Sequence, residues 1–390
     1  MTRTTAASRT AGCTLRNQRG VALLIVLTIV ALLTIIVTEF TYSVQIDQHR
    51  TRNALHALQA QLLARSGVNL AEGFLMLDAE PKYDAYSEDW WMQLVEFCKG
   101  MPLDETMRLR CRVQDESGKV NVNNTRGVIR RVQSQRVTGD AILRDAMRCM
   151  FQHRGIDVEI VDKLADYWQQ DPVQKSDGTP STIPDFTSLE DFGAMFGIPT
   201  QQLNQLRRVL TAQPSRLLPR INVNTAPAEV LASVLNADKP DCPADDAVEE
   251  IIKRQMDPDQ PFQSASEVTK MMSGDENANL KAGLFDVRSR LYRLEASALT
   301  NVDPTNPTSG GIGQTLSVLV ARTQGPARPG TTQATQVGAN GQPIPNWTLR
   351  PLDWQKEGGA RLFRSVPSDQ NPSGNPDDEG EPNDMARSSG

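Results

Sequence analysis

The longest uninterrupted apolar stretch lies near the amino terminus, from Val21 to Val37, and contains no charged residue. At about 1.5 Å per residue, a helix of this length roughly crosses the hydrocarbon core of a bilayer. The residues before Gly20 carry four arginines and no acid, which predicts that the amino terminus stays cytoplasmic. The apolar run ends in Thr38 and Glu39, and no small-residue cleavage site follows it. We therefore predict a transmembrane helix over residues 21–40.

Apolar positions recur beyond the membrane at steps of three or four residues, or multiples of these, as far as Pro81. This pattern predicts that the helix continues as an amphipathic segment. The apolar positions are Leu55, Leu58, Leu62, Leu70, Phe74 and Leu77. We expect this face to pack on a sheet, with Ser66 and Gly67 allowing a close approach.

Two regions of the chain show the patterns of a small α+β domain. Residues 84–99 form a predicted helix, and residues 108–114 alternate polar and apolar side chains, as in a strand with one buried face. Residues 115–118 form a predicted turn. Residues 286–299 and 315–323 predict two further strands, joined as a hairpin by a loop rich in proline and glycine.

A repeated sequence lies between these two regions. Val-Asn-Val-Asn at 120–123 returns as Ile-Asn-Val-Asn at 221–224, and each copy is followed by helical patterns and a later phenylalanine, Phe186 or Phe262. We infer an internal duplication of two all-helical modules, over residues 125–215 and 216–275. Asn123 and Asn224 are predicted helix caps, with Thr225 an equally good candidate. The helical domain 125–275 would then be inserted between residues 41–124 and 276–323.

The last segment, residues 324–390, is dominated by proline, glycine and small polar residues, which predicts a disordered tail. Trp347 and Trp354 are exceptions in it. They leave open the alternative that a short segment docks on the body or on a partner.

Charge and cysteine content narrow the possible functions. The chain has a net charge of −6, and removal of the four leader arginines lowers it to −10, which argues against a nucleic-acid binder.

Cys13 lies in the leader, and the other four cysteines lie beyond the membrane segment, where an oxidising compartment permits disulfides. Cys98 and Cys111 are the favoured pair because they are close in sequence, although buried free thiols remain an alternative. The sequence contains none of the common catalytic or phosphate-binding motifs, so we predict a non-enzyme.

The junction Arg19-Gly20 directly before the apolar run resembles the type III signal of type IV pilins and type II secretion pseudopilins. The resemblance implies that residues 1–20 are a leader, which a prepilin peptidase removes after Gly20. It also implies methylation of the new amino terminus at Val21. A plain signal anchor is the alternative.

One position departs from the common pattern of these proteins, which carry glutamate at the fifth mature residue. Counted from Val21, that position is Ile25. A carboxylate in lipid is costly unless it is paired, and in the family its partner is the free amine of the neighbouring subunit. A subunit with Ile25 cannot make that pair, which suits the top of a filament. The absence is typical of the minor pseudopilin K family.

The order of the parts from Arg16 to Thr323 resembles that family as a whole. The resemblance implies an α+β pseudopilin fold with a large inserted all-α domain of two modules similar to SAM or helix-hairpin-helix domains. It further implies a single-pass inner-membrane protein whose bulk lies in the periplasm. Such a protein would cap the type II secretion pseudopilus together with minor pseudopilins I and J. It would initiate pseudopilus assembly, contact the inner-membrane secretion platform and take part in protein export across the outer membrane.

The resemblance also leads to the hypothesis of a calcium site, because the family carries acidic residues after a helix of the first module. Asp166 and Asp171 match that pattern, followed by Asp177, whereas Gln169 stands where an acid is expected. Calcium takes six to eight oxygen ligands, so the missing acid lowers the charge of such a site. Solvated loop acids are the alternative explanation.

Two other functions share parts of this pattern. A membrane-anchored DNA-uptake receptor with a helix-hairpin-helix module would bind phosphate with a glycine-rich hairpin. The corresponding residues 236–246 contain no glycine and four aspartates, so we expect no nucleic acid as a partner. A type IV minor pilin would share the amino terminus but usually lacks the inserted helical domain.

Overall fold

The computed structural model describes residues 19–126, 139–169, 183–272, 274–303, 306–324 and 347–358. The chain divides into two compact units after Leu58. The helices are α1 Arg19–Leu75, α2 Asp89–Cys98, α3 Gly139–His153, α4 Glu159–Gln169, α5 Leu189–Phe196, α6 Thr200–Leu206, α7 Ala228–Leu235, α8 Asp246–Gln255, α9 Ser266–Met271 and α10 Ala278–Ala282. The strands are β1 Met101–Pro102, β2 Arg108–Asp115, β3 Val120–Asn121, β4 Leu210–Thr211, β5 Ile221–Asn222, β6 Phe285–Asp286, β7 Leu291–Asp303, β8 Asn306–Gln324 and β9 Trp347–Gly358.

The first unit contains the apolar half of α1. The large apolar side chains from Val21 to Val37 are all exposed within this unit. The segment is long and apolar enough to cross a membrane. Thr28 and Thr34 donate their hydroxyl hydrogen bonds to the carbonyls of Leu24 and Val30, at 2.8 Å each. The polar groups of these two side chains are thus satisfied inside the helix, as a lipid environment requires.

The second unit begins with the end of α1 lying on a five-stranded antiparallel sheet of order β1-β2-β7-β8-β9. Strands β2 and β7 are neighbours, with Cys111 opposite Ala296, although about half of the chain lies between them. The apolar core between α1, α2 and the sheet includes Leu94, Leu109 and Val318.

The predicted packing face of α1 is wrong. The side chains against the sheet are mainly small, namely Ala60, Ala64, Val68, Ala71 and Leu75. Of the predicted positions only Phe74 packs against this core, while the leucines are exposed. The reason is that α1 approaches the sheet closely at this point. A Cβ on Gly67 would lie 2.9 Å from Leu109 Cδ1 and 3.1 Å from Ala296 Cβ. Only small side chains fit in that space.

The prediction of a disordered tail over 324–390 is also wrong for residues 347–358, because they form β9 at the edge of the sheet. Leu349 packs against the core, and the indole of Trp347 donates a hydrogen bond of 2.8 Å to the Asp78 carbonyl. Main-chain pairing along β8 offsets the low apolar content of the segment, which composition alone does not reveal. Residues 325–346 and 359–390 lie outside the described residues.

The helical part has its own apolar core, which extends from Val120 to Val287. The predicted boundary at residue 275 is therefore too early, because Ala278, Ala282 and Phe285 are buried in this core. Each module is also closed by two-residue parallel strands that the sequence analysis did not predict. Strand β3 pairs with β4, and β5 pairs with β6.

The duplication is visible in matching hydrogen bonds. Asn123 donates from its side chain to the Phe186 carbonyl and accepts from the Phe186 N–H, both at 2.9 Å. Asn224 makes the same two bonds with Phe262, at 3.0 and 2.9 Å. The two asparagines thus hold a distant loop in place, and they do not cap helices as predicted. Helix α7 instead begins after Pro227.

Candidate functional site: the apolar helix and the junction of sheet and helical part

The amino-terminal positions singled out by the sequence lie on the first turns of α1. Gly20 is in the helix, and the side chains of Val21 and Ile25 are 58% and 54% exposed. The first acid after Val21 is Glu39, so the apolar turns offer no carboxylate to a neighbouring amine. Cleavage after Gly20 and methylation at Val21 stay predictions.

The four cysteines beyond the leader form two pairs. Cys98 at the end of α2 is bonded to Cys111 on β2, with a Cα–Cα distance of 4.4 Å, and this is the pair favoured from the sequence. Cys149 on α3 is bonded to Cys242 in the loop after α7, and sequence reasoning missed this pair. The even cysteine count was its only signal, because 93 residues separate the two positions. The second bond connects the first module to the second.

The end of β2 and the turn that follows carry two buried carboxylates, Asp115 and Glu116. Burial alone would raise the pKa of Glu116, but Lys119 at 2.9 Å and Arg293 at 3.1 Å outweigh it and hold that pKa at about 2. Burial raises the pKa of Asp115, which accepts a hydrogen bond of 2.5 Å from the Thr225 hydroxyl. Asp115 therefore connects the sheet to the helical part, and both acids are engaged within the chain.

Gly118 in the same turn touches the second copy of the repeat. A Cβ at this position would lie 2.6 Å from the Thr225 carbonyl oxygen and 3.0 Å from the Ala226 nitrogen. The backbone of Ser117 accepts a hydrogen bond of 2.7 Å from the Asn222 N–H beside this contact. Two main-chain segments thus meet where the sheet ends and the helical part begins.

A second buried cluster surrounds Arg322 near the end of β8. Its guanidinium pairs with Asp78 at 2.9 Å and also with Asp84. The Trp347 ring lies 4.4 Å from the guanidinium carbon, and Tyr292 lies 5.0 Å from it. Burial lowers the pKa of Arg322 to about 10, and Asp78 opposes that shift, so the side chain stays charged at neutral pH. This cluster connects the loop after α1 to the carboxyl-terminal strand.

The hairpin loop of the second module, residues 236–246, packs against the first module. His153 Nε2 lies 2.9 Å from the Asp241 carbonyl oxygen, and Gln152 donates a hydrogen bond of 3.1 Å to the Asp241 carboxylate. Asn236 donates within the loop to the Pro243 carbonyl, at 2.7 Å. Within the loop, the Lys239 N–H donates to the Asn236 carbonyl and the Cys242 N–H to the Lys239 carbonyl, so these two N–H groups are not free to form a phosphate nest.

The predicted calcium ligands fall only partly within the structure. Asp166 is exposed near the end of α4. Asp171 and Asp177 lie outside the described residues. Among residues whose placement is described, no group of three or more histidines, cysteines or acids is arranged to hold a metal ion.

A known protein and a solved structure each match most of the chain, while no family model matches. The chain is 27% identical over 369 residues to "Type II secretion system protein K" of Pseudomonas aeruginosa, which covers 88% of this chain and 99% of that protein. Its fold matches a chain in the crystal structure of the GspK–GspI–GspJ complex from the enterotoxigenic Escherichia coli type 2 secretion system. That match has a TM-score of 0.51 and 13% identity, covering 79% of this chain and 99% of the other.

The structural match confirms the predicted α+β fold, with a long apolar helix, a small antiparallel sheet and a mostly helical remainder. The sequence match supports a type II secretion minor pseudopilin and extends over nearly the whole relative. Together they confirm the resemblance recognised from the sequence: the chain is similar to the minor pseudopilin K family of type II secretion systems.

Proposed function

We propose that this minor pseudopilin occupies the tip of the type II secretion pseudopilus, where it initiates assembly and takes part in protein export across the outer membrane. The observation that carries the proposal is the exposed apolar helix, which has Ile25 at the expected acid position and no acid before Glu39. A subunit above it could not pair its amine with this chain. The chain therefore suits the uppermost position.

The partners in this proposal are minor pseudopilins I and J, which share a crystal structure with the matched chain. A prepilin peptidase would remove residues 1–20 and methylate Val21, and the inner-membrane secretion platform would receive the processed chain. The protein would span the inner membrane once, with its bulk in the periplasm. The predicted cytoplasmic amino terminus and the two disulfides are compatible with that orientation.

The mechanism follows from two features of the chain. The apolar half of α1 stays in the bilayer until its packing with partner helices replaces the lipid contacts. Assembly then draws the helix out of the membrane and nucleates a filament that pushes folded proteins outward. The helical part inserted between β2 and β7 adds bulk to the body, which suits a position where no further subunit is added.

The first test concerns the leader. Replacing Gly20 with alanine is expected to block leader removal and secretion, because the added Cβ hinders the close approach of the peptidase. An immunoblot of the membrane fraction measures the size of the chain. Normal processing of the variant would count against a type III signal.

The second test concerns position in the fibre. Immunogold labelling of pseudopili is expected to place this chain at one end, and co-purification of the full chain in detergent is expected to recover I and J. Even labelling along the shaft would refute the tip position. A gel-shift assay with DNA separates this proposal from a DNA-uptake receptor, which would bind.

We also propose that a calcium ion binds at the end of α4 and after it, with Asp166, Asp171 and Asp177 as its ligands. The proposal rests on the spacing of these acids in the sequence. Calorimetric titration of the full chain with calcium is expected to release or absorb heat and to raise the melting temperature. No heat and no change in melting temperature would refute it.

A further inference from the structure

The face of the sheet that points away from α1 carries mainly polar side chains. Alternate residues of β2, β7 and β8 point to this face, since their neighbours along each strand lie in the core with α1. The register of the strands places four polar residues in one row across the sheet, namely Arg112, Glu295, Ser317 and Gln355. This row offers charge and hydrogen bonds instead of an apolar packing surface.

A cleft with a volume of about 1770 Å³, here called the polar cleft, lies between this sheet face, α2 and the helical part. Burial alone would raise the pKa of Glu190 on α5, but its partner Arg207 lowers it, and the charge of Arg293 on β7 does so too. The sheet and the helical part are thus close enough for their charges to interact across the cleft. Pockets for small ligands measure roughly 300–1,000 Å³, so the polar cleft has room for a segment of polypeptide.

Basic residues outnumber acidic ones in the polar cleft. Nine basic and seven acidic residues line it, although the whole chain has a net charge of −6. Arg112 on the sheet and Arg216 in the helical part make no side-chain hydrogen bond or ion pair with any residue that the structure describes. Burial and the nearby charge of Arg208 lower the pKa of Arg154 to about 10, so two further arginines lie near each other. An anionic occupant would neutralise this excess of positive charge.

The same chain contains a segment with the complementary charge. Residues 377–384, here called the acidic tail, lie outside the described residues and carry five acids and no base. The acids are Asp377, Asp378, Glu379, Glu381 and Asp384. Clusters of arginine recur in proteins as binding sites for acidic motifs, because a guanidinium binds a carboxylate with two parallel hydrogen bonds. The acidic tail is therefore a chemically fitting occupant of the polar cleft.

The end of β9 lies close enough to the polar cleft for the acidic tail to reach it. Gly358 pairs with Gln314 on β8, and the next residues along β8 that line the cleft are Thr315 and Ser317. The acidic tail begins nineteen residues after Gly358. Such a stretch spans about 25 Å as a random coil and about 65 Å when fully extended. Five strands are only about 20 Å wide, so the tail can reach across the whole sheet.

We propose that the acidic tail binds in the polar cleft of its own chain, where its carboxylates pair with Arg112 and Arg216. Attachment to β9 gives the tail an effective concentration on the order of millimolar, so weak ion pairs are sufficient to hold it. A bound tail shields the cleft, and an acidic segment of another protein must displace it to enter. The inference goes beyond the proposed function and does not depend on the position of this chain in a filament.

The test uses a photo-reactive amino acid at one of two exposed positions that line the cleft, Met92 on α2 or Asn204 on α6, in the full chain purified in detergent. Irradiation is expected to give an intrachain cross-link to the tryptic peptide 365–387, which contains the acidic tail. The yield is expected to fall several-fold from 0.01 to 1 M salt, because the Debye length falls from about 30 Å to about 3 Å. The same amino acid at Val158, which is exposed outside the cleft, is expected to give no such product.

Two variants test the charges directly. An exposed ion pair contributes a few-fold at most to binding, so replacing all five tail acids with the matching amides is expected to lower the yield about tenfold or more. Arg112→Gln combined with Arg216→Gln is expected to lower it a few-fold. Arg220→Gln combined with Arg290→Gln is the matched control, since it removes two exposed arginines that do not line the cleft, and it is expected to leave the yield unchanged.

The cross-linked products decide the outcome. Absence of the intrachain product at both positions would overturn the proposal, and so would an unchanged yield after the tail acids are replaced. A product that migrates as a dimer in denaturing gel electrophoresis, with no intrachain product, would also overturn it, because the occupant would then belong to a second copy. None of these measurements involves minor pseudopilins I and J, so the proposed function is tested separately.

Discussion

The contact at Gly118 gives the sharpest test of how the helical part is joined to the sheet. In Gly118→Ala the new Cβ would lie 2.6 Å from the Thr225 carbonyl oxygen and 2.8 Å from its carbon. Ordinary contacts begin near 3.5 Å, so the two main-chain segments must separate by roughly 1 Å. No backbone strain contributes, because Gly118 is not among the described glycines with positive φ.

The cost follows from what that separation disturbs. Overpacking typically costs about 1–3 kcal/mol, and we expect the upper part of that range because both partners are backbone. Movement of Thr225 also stretches its hydroxyl bond to the buried Asp115 and the adjacent bond from Asn222 to Ser117. At about 2–4 °C per kcal/mol for a body of this size, about 2–3 kcal/mol corresponds to a fall in melting temperature of roughly 4–12 °C.

Thermal unfolding of the detergent-solubilised full chain, followed by tryptophan fluorescence at a fixed scan rate, measures this fall. Gly73→Ala is the control, because its Cβ meets nothing within 4 Å, and it is expected to raise the stability by roughly 0.5–1 kcal/mol. If Gly118→Ala melted at the parent's temperature, the close approach of the two segments would be refuted.

Three further predictions concern the buried polar groups, each measured by the same unfolding experiment. Arg322→Met is expected to destabilise the chain by about 3–5 kcal/mol, because Asp78 is left buried without its partner; a loss below 1 kcal/mol would contradict the pairing. Asn224→Ala is expected to cost roughly 2–3 kcal/mol, because the N–H and carbonyl of Phe262 lose their partner; an unchanged melting temperature would show that water replaces it. Burial and the nearby charge of Asp78 raise the pKa of Glu88 from its ordinary value of 4.5 to about 9, so its ionisation opposes folding increasingly as pH rises between these values. Glu88→Gln is therefore expected to match the parent near pH 4 and to exceed its stability increasingly up to pH 9, and a constant difference across this range would contradict the raised pKa.

The architecture of this chain was predictable where a local pattern carries the information. The apolar run, the strand at 108–114, the hairpin of β7 and β8 and the repeated Asn-x-Asn sequences all indicate their elements directly. The repeat also indicates that the two copies form similar structures, and the matching bonds of Asn123 and Asn224 show how. Their bridging role could not be read from the sequence, because it depends on loops far along the chain.

The exposed leucines of α1 show where periodicity fails. A periodic apolar face predicts that its side chains are buried, but it does not identify the element or partner that covers them. In this helix the sheet packs on the face that carries the alanines and Gly67, since Leu109 leaves no room for a Cβ at position 67. The leucine face is left exposed within the described residues.

The second disulfide was missed, and the carboxyl-terminal strand was foreseen only as the alternative that a segment with Trp347 and Trp354 docks on the body. The two share a related reason. Composition describes β9 as too polar to fold alone, yet main-chain pairing with β8 and the stacking of Trp347 on Arg322 hold it in place. The bond between Cys149 and Cys242 joins two modules, and its pairing depends on how they pack. Long-range constraints of this kind leave little trace in local sequence.

The adjacency of β2 and β7 has a consequence for how such proteins vary. The whole helical body occupies the place of a hairpin loop, since it leaves the sheet after Asp115 and returns at Leu291, next to its point of departure. A sheet joined in this way sets no limit on the size of what it carries. Insertions or deletions inside the helical body leave the pairing of Cys111 with Ala296 untouched, so the sheet and the helical body can diversify independently.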